Sequence, residues 1–185
     1  MTLSKNIVEN CDLEEYHGID ISDSGVFEAK KIGINAVKIN VDESVLPYDD
    51  SYFDFIFAGE LIEHLFNPDL FLSESYRVLK SRGYLLLTTP NLASWHNRIA
   101  LFLGYQPHYS EVSLKYNVGK MFPTDKGDVS GHIRLFTYRA IKELLNLYNF
   151  KIIKIMGQGT DLFIERFFSC HCPSFSSGLI ILCYK

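Results

Sequence analysis

The stretch from Asp49 to Asn91 constrains this chain most. It sets two apolar runs on either side of a helical segment, with turn residues at the joins. Phe53 to Phe57 is a short aromatic and β-branched run, the kind a strand covered on both faces carries. Asn67-Pro68 opens the helical segment, Asn67 as its cap and Pro68 in its first turn. Leu72, Tyr76 and Leu79 then fall on one helix face. Lys80 and Arg82 suit the helix C-terminus, and Gly83 supplies a left-handed stop. Tyr84 to Thr89 reads as a second buried strand.

The same alternation continues outward. Residues 1–15 are polar, with Leu3, Ile7 and Val8 on one face of a short helix. Tyr16 to Ile21 reads as a strand, Ser22 to Lys31 as a helix stopped at Gly33, and Ala36 to Asn40 as a further strand. Strands alternating with helices imply a parallel α/β sheet. Beyond Pro90, Ala93 to Leu103 looks helical, with Trp95, Ile99, Phe102 and Leu103 on one side and Gly104 at its end. Residues 105–133 are irregular, and a connection that long is a lid or binding segment. Thr137 caps a helix in which Ile141, Leu144, Leu145 and Tyr148 recur. Lys151 to Met156 and Leu179 to Tyr184 are the last strands.

Composition removes several function classes. A net charge of −4 without a Lys/Arg block gives no electrostatic basis for nucleic-acid or anionic-membrane binding. No apolar run approaches the roughly 20 residues of a membrane span, and the N-terminus lacks a signal peptide's apolar core. A cytoplasmic location is expected, with Cys11, Cys170, Cys172 and Cys183 as reduced thiols. Cys170-His171-Cys172 lacks the second ligand pair of a zinc site, so no metal is expected.

Leu46-Pro47-Tyr48, Ser51-Tyr52-Phe53-Asp54, Glu63-His64-Leu65, Tyr76-Arg77-Val78-Leu79-Lys80 and Gly83-Tyr84-Leu85 occur in this order and spacing. Together they resemble the class I S-adenosylmethionine-dependent methyltransferases, from about Tyr16 to the C-terminus. The resemblance implies an α/β, Rossmann-like sheet with helices on both faces and the last strand inserted antiparallel. It implies one domain over residues 1–185, with 91–135 as a lid or substrate segment, and methyl transfer to a small-molecule acceptor.

It also implies site residues. Asp20, at the end of the first strand with Ile21 beside it, would grip the cofactor ribose through charge-assisted hydrogen bonds. Asp42 would meet the adenine amino group and the Glu43 N–H a ring nitrogen, though Asp42 equally suits a plain turn. Ala58, Gly59 and Glu60 would face the methionine part, where small residues allow close backbone approach; strand–helix packing explains Ala58 and Gly59 as well. His64 is either a base toward the acceptor or a structural residue, and His132 would face the acceptor from beyond the lid. Trp95, His96, Tyr109 and Tyr116 are candidate acceptor-pocket residues, or core.

One part of that pattern has no match. Such sites begin with a strand and a glycine-rich turn about 20 residues before the ribose-binding acid. Counting back from Asp20 reaches Met1 without a Gly-x-Gly, and Gly157-Gln158-Gly159 lies far downstream. The expected strand would sit between the Tyr16 and Phe53 strands, so two apolar edges are left to a homo-oligomer or a second chain. A truncated enzyme, a pseudo-methyltransferase acting as a binding partner or subunit, and weakened S-adenosylmethionine binding all follow as expectations. A nicotinamide-dependent dehydrogenase is a further alternative, because Tyr76/Lys80 and Tyr116/Lys120 share the Tyr-x-x-x-Lys spacing.

Overall fold

The structure, a computed structural model, describes residues 14–121, 129–159 and 163–185. The chain forms two compact units, Met1–Leu46 and Pro47–Lys185. The readings made for residues 1–13, Cys11 and the Leu3 helix included, lie outside the described residues.

In the first unit, β1 (His17–Asp20) and β2 (Asn35–Lys38) pair in parallel around α1 (Asp23–Lys31). Ser22 caps α1 by accepting from the Gly25 N–H at 2.9 Å. Gly33 follows it at φ +85°, the left-handed turn expected there. Gly18 keeps the helix return close, since a Cβ there would stand 2.9 Å from Ile34 Cγ2.

The second unit is a four-stranded sheet in the order β3 (Phe53–Gly59), β4 (Leu79–Pro90), β6 (Gly178–Tyr184), β5 (Lys151–Gln158). β3 runs parallel to β4, while β6 lies antiparallel between β4 and β5. The inserted antiparallel last strand is the one the sequence led us to expect. Leu85 and Leu87 of β4 alternate into the core and meet Leu179, Ile181 and Cys183 of β6 there, all fully buried. α2 (Pro68–Val78) adds Leu72 and Val78, and α4 (Tyr138–Leu147) adds Ile141 and Leu145. Asn67 accepts from the Leu70 N–H at 3.0 Å and Thr137 from the Ala140 N–H at 3.1 Å, so both foreseen caps form.

Four readings need correction. β3 is not covered on both faces. It is the edge strand of its sheet, and Asp54 and Phe55 lie open. Among the described residues, no strand pairs with the second edge of either β1 or β3. The left-handed residue after α2 is Arg82, at φ 65°; Gly83 instead lies within β4, where a Cβ would approach the Lys80 carbonyl oxygen to 2.9 Å. In α3 (Trp95–Phe102) the buried residues are Asn97 and Ala100, and Phe102 is 89% exposed. A fifth helix, α5 (Phe163–His171), was not anticipated.

Arg77 explains why Tyr-Arg-Val-Leu-Lys follows the β3 segment. Its guanidinium donates to both Glu74 oxygens, at 2.9 and 2.7 Å, and to the Tyr48 carbonyl and Asp50, each at 2.8 Å. One cation thereby fastens the loop before β3 to α2.

Candidate functional site

In the first unit, Asp20 ends β1 at the carboxyl edge of a parallel pair, where open α/β sheets take ligands. One of its oxygens accepts from the Ser22 N–H at 2.7 Å. Gly25 leaves room for the carboxylate over the start of α1, because a Cβ there would lie 2.4 Å from Asp20 Oδ2. Ile21 is exposed beside it. Asp42 and Glu43 form a turn: the Asp42 N–H donates to Asn40 Oδ1 at 3.1 Å and the Glu43 N–H to the Asn40 carbonyl at 3.2 Å. The Glu43 amide is thus already occupied within its own loop.

In the second unit, β3 also ends at a parallel edge. Ala58 is buried, and Gly59 is open, with the Phe57 ring where its Cβ would be, at 2.5 Å. Glu60 takes φ 50°, an uncommon backbone for a residue with a side chain. Thr88 holds it there, accepting from the Glu60 N–H at 3.0 Å and donating to Glu60 Oε1 at 2.8 Å.

The 3₁₀ turn Ile62–His64 follows, and with it a polar cluster. The Glu63 carbonyl accepts from the Ile133 and Arg134 N–H groups at 2.8 and 2.9 Å, which fixes the segment carrying His132. Thr89 donates to Glu63 Oε2 at 3.1 Å, while Glu63 Oε1 is buried without a hydrogen-bond partner. Burial, then the adjacent Glu60 carboxylate, pushes the Glu63 carboxyl well above the usual carboxylate range. The His64 and His132 rings stand 4.8 Å apart. His132 is held below the ordinary histidine value by burial first and by His64 second.

Each histidine is oriented through Nδ1. His64 Nδ1 lies 3.2 Å from the Gly131 carbonyl, which only accepts, so Nδ1 carries the proton. Ser130 Oγ donates to Glu111 at 2.7 Å and therefore accepts from His132 Nδ1 at 2.9 Å. Burial works against the charge on Glu111, but hydrogen bonds from Ser130 and Gly131 hold its carboxyl below the ordinary value.

Of the aromatic candidates, Tyr109 packs on His132 at 5.4 Å, and His108 links Tyr109 to His96, at 4.7 and 6.1 Å. Trp95 stands edge-on to His96 at 5.6 Å. Tyr116 is 66% exposed and takes no part in this chain of rings. A cavity of about 30 Å³ beside His96 and His108 has room for about one water, not a metabolite. Lys120 closes that region by donating to the carbonyls of Pro107, His108 and Ser110.

Sequence reasoning missed Glu63, Glu111 and Ser130 as site residues. They are ordinary in the sequence: Glu63 and Glu111 gain partners 19 to 71 positions away, and Ser130 joins Glu111 to His132.

The dehydrogenase alternative is not supported. Lys80 pairs with Asp54 at 2.7 Å, Tyr76 packs edge-on to Phe150, and Lys120 is spent on carbonyls, so neither Tyr/Lys pair is assembled. Cys170 and Cys172 are free thiols. Among the described residues, no helix is long and apolar enough to cross a membrane.

Among curated proteins, none matches the sequence. Solved structures give the fold. An S-adenosylmethionine-dependent methyltransferase from Thermotoga maritima superposes with a TM-score of 0.64 at 19% identity, over 97% of this chain and 75% of that one. One from Methanosarcina mazei gives 0.60 at 21% identity, over 91% and 81%. The protein solved in complex with the Haloferax volcanii Trm112 methyltransferase activator gives 0.67 at 13% identity, over 99% and 76%. The sequence itself matches the methyltransferase domain family from residue 4 to residue 155, and the chain belongs to that family.

Proposed function

We propose that this chain binds S-adenosylmethionine and transfers its methyl group to a small-molecule acceptor. The observation that carries this is the family match across residues 4–155. Asp20 grips the ribose, with Ile21 beside it, and Asp42 serves the adenine, the Glu43 amide being taken by its own loop. Ala58, Gly59 and Glu60 face the methionine part. The sulfonium is already activated, so the protein's task is alignment and exclusion of water. That contribution is worth about 7–11 kcal/mol in favourable cases. His64 and His132 face the acceptor, and the described part of the 91–135 segment forms its lid.

Residues 1–185 carry no glycine-rich turn ahead of β1, so cofactor binding by this chain alone is weak. Calorimetric titration tests both parts. Saturable binding near or above about 100 µM, lost in Asp20→Ala and absent for a nicotinamide dinucleotide, is expected. Binding near 1 µM would remove the weakening. No saturable binding of any adenosyl cofactor would remove the enzyme reading and leave a binding subunit. That second reading is supported by the β3 edge, unpaired among the described residues, and by the activator bound to the Haloferax neighbour. A second chain, or a second copy of this one, would then complete the sheet.

A further inference from the structure

Glu63, His64 and His132 each offer one ligating atom, and these atoms lie within 4.8 Å of one another. Among the described residues this is the one such group of three. A cation about 2.0–2.2 Å from each donor needs donors about 3–3.5 Å apart, so these side chains draw together to hold one.

Three independent features prepare the group. Glu63 is fully buried, with Oε2 tied to Thr89 and Oε1 left without a hydrogen-bond partner. A native carboxylate oxygen left so is costly unless something fills the place. Both histidines have Nδ1 engaged, His64 by the Gly131 carbonyl and His132 by Ser130, which in turn donates to Glu111. Such a partner on one ring nitrogen orients the imidazole, as the outer partners of metal-binding histidines do. Finally, the backbone bonds from Ile133 and Arg134 to Glu63 hold the two sides of the group together across about 70 residues of chain.

We propose that Glu63, His64 and His132 form a binding site for a single divalent transition-metal ion. Two imidazoles and a carboxylate suit zinc, manganese, cobalt or iron(II) and disfavour magnesium and calcium, which prefer all-oxygen sets. Three protein ligands leave an open position, where such an ion polarises an oxygen ligand. The site was not anticipated from the sequence, where the Cys170-His171-Cys172 run drew attention instead and no metal was expected.

The test uses the full chain after treatment with a chelator, titrated with cobalt(II) followed by visible absorption and with zinc by calorimetry. One ion per chain is expected, weakened tenfold or more in both His64→Ala and His132→Ala and unchanged in His171→Ala. Glu63→Gln should behave like the histidine variants. Because Glu63 is buried, circular dichroism must show that variant folded; if it is not, the two partly exposed histidines decide. No binding below about 1 mM, or binding indifferent to both histidine variants, overturns the site. Loss of binding in His171→Ala would move it to the cysteine run and overturn it equally. Cofactor titration of the same samples is a separate readout, so failure of the metal site and failure of the methyltransferase reading are distinguishable.

Discussion

The unit around β1 and the unit around β3 share the same strand–helix–strand alternation but bury different things. Among its described residues the first buries Ile34 and Ala36, and its ion pairs, Lys31–Glu28 and Lys38–Asp23, have side chains about half exposed or more. The second buries a layer of aliphatic side chains and, within it, Glu63, Glu74, Thr89, Asn91 and Asn97. Short two-stranded sheets are marginal, and exposed ion pairs contribute little. The first unit is therefore held mainly by local caps and glycines, the second by a dry core. Buried polar groups are costly without partners, and the second unit brings partners such as Thr89 to Glu63 from distant sequence.

The largest effect that sharpens this comparison is a core cavity. Leu87→Ala should destabilise the chain by roughly 3 kcal/mol, read from the urea midpoint. A loss below about 1 kcal/mol would mean the β4–β6 layer is not the main core. Next comes Arg77→Met, which leaves the nearly buried Glu74 without its cation and should cost about 2–3 kcal/mol. Ser22→Ala, in the first unit, removes one cap and should cost about 1 kcal/mol. Lys38→Ala should stay within about 0.5 kcal/mol. Hydrogen exchange would break the comparison outright if β1 and β2 amides proved as protected as those of β4 and β6.

Cys183 gives a pH counterpart. Burial pushes its thiol up to about 12. The unfolded chain releases that proton near pH 9 while the folded chain keeps it, so this contribution to stability declines as pH rises from about 9 toward 12. At pH 8 a thiol reagent should label Cys170 and Cys172 and spare Cys183 until the chain is unfolded. Rapid native labelling of Cys183 would contradict its burial.

Much of the fold was legible because it rests on local signals. Asn67-Pro68, Thr137 and Gly33 mark helix ends with side chains or backbone freedom that act within three or four residues. β4 and β6 announce themselves through aliphatic runs. α5 escaped because Phe163-Ile164-Glu165-Arg166-Phe167-Phe168 mixes aromatics of middling helix propensity, and Phe163 is 88% exposed. Gly83 misled because a glycine after a helix usually takes the left-handed turn, whereas here it answers a crowded backbone and Arg82 bends instead. For the candidate site, the strand ends carrying Asp20 and Ala58-Gly59-Glu60 were legible as strand ends. The Glu63–Thr89 and His64–Gly131 contacts span 26 and 67 residues, and no local pattern encodes them.

The central claim is the proposal that this methyltransferase-family chain binds S-adenosylmethionine. Ultraviolet cross-linking of methyl-labelled cofactor, followed by peptide mapping, reads it directly. The account predicts label on the peptides that carry Asp20-Ile21 and Ala58-Gly59-Glu60, removed by excess S-adenosylhomocysteine. Label confined to other peptides, or indifferent to that competitor, would contradict it.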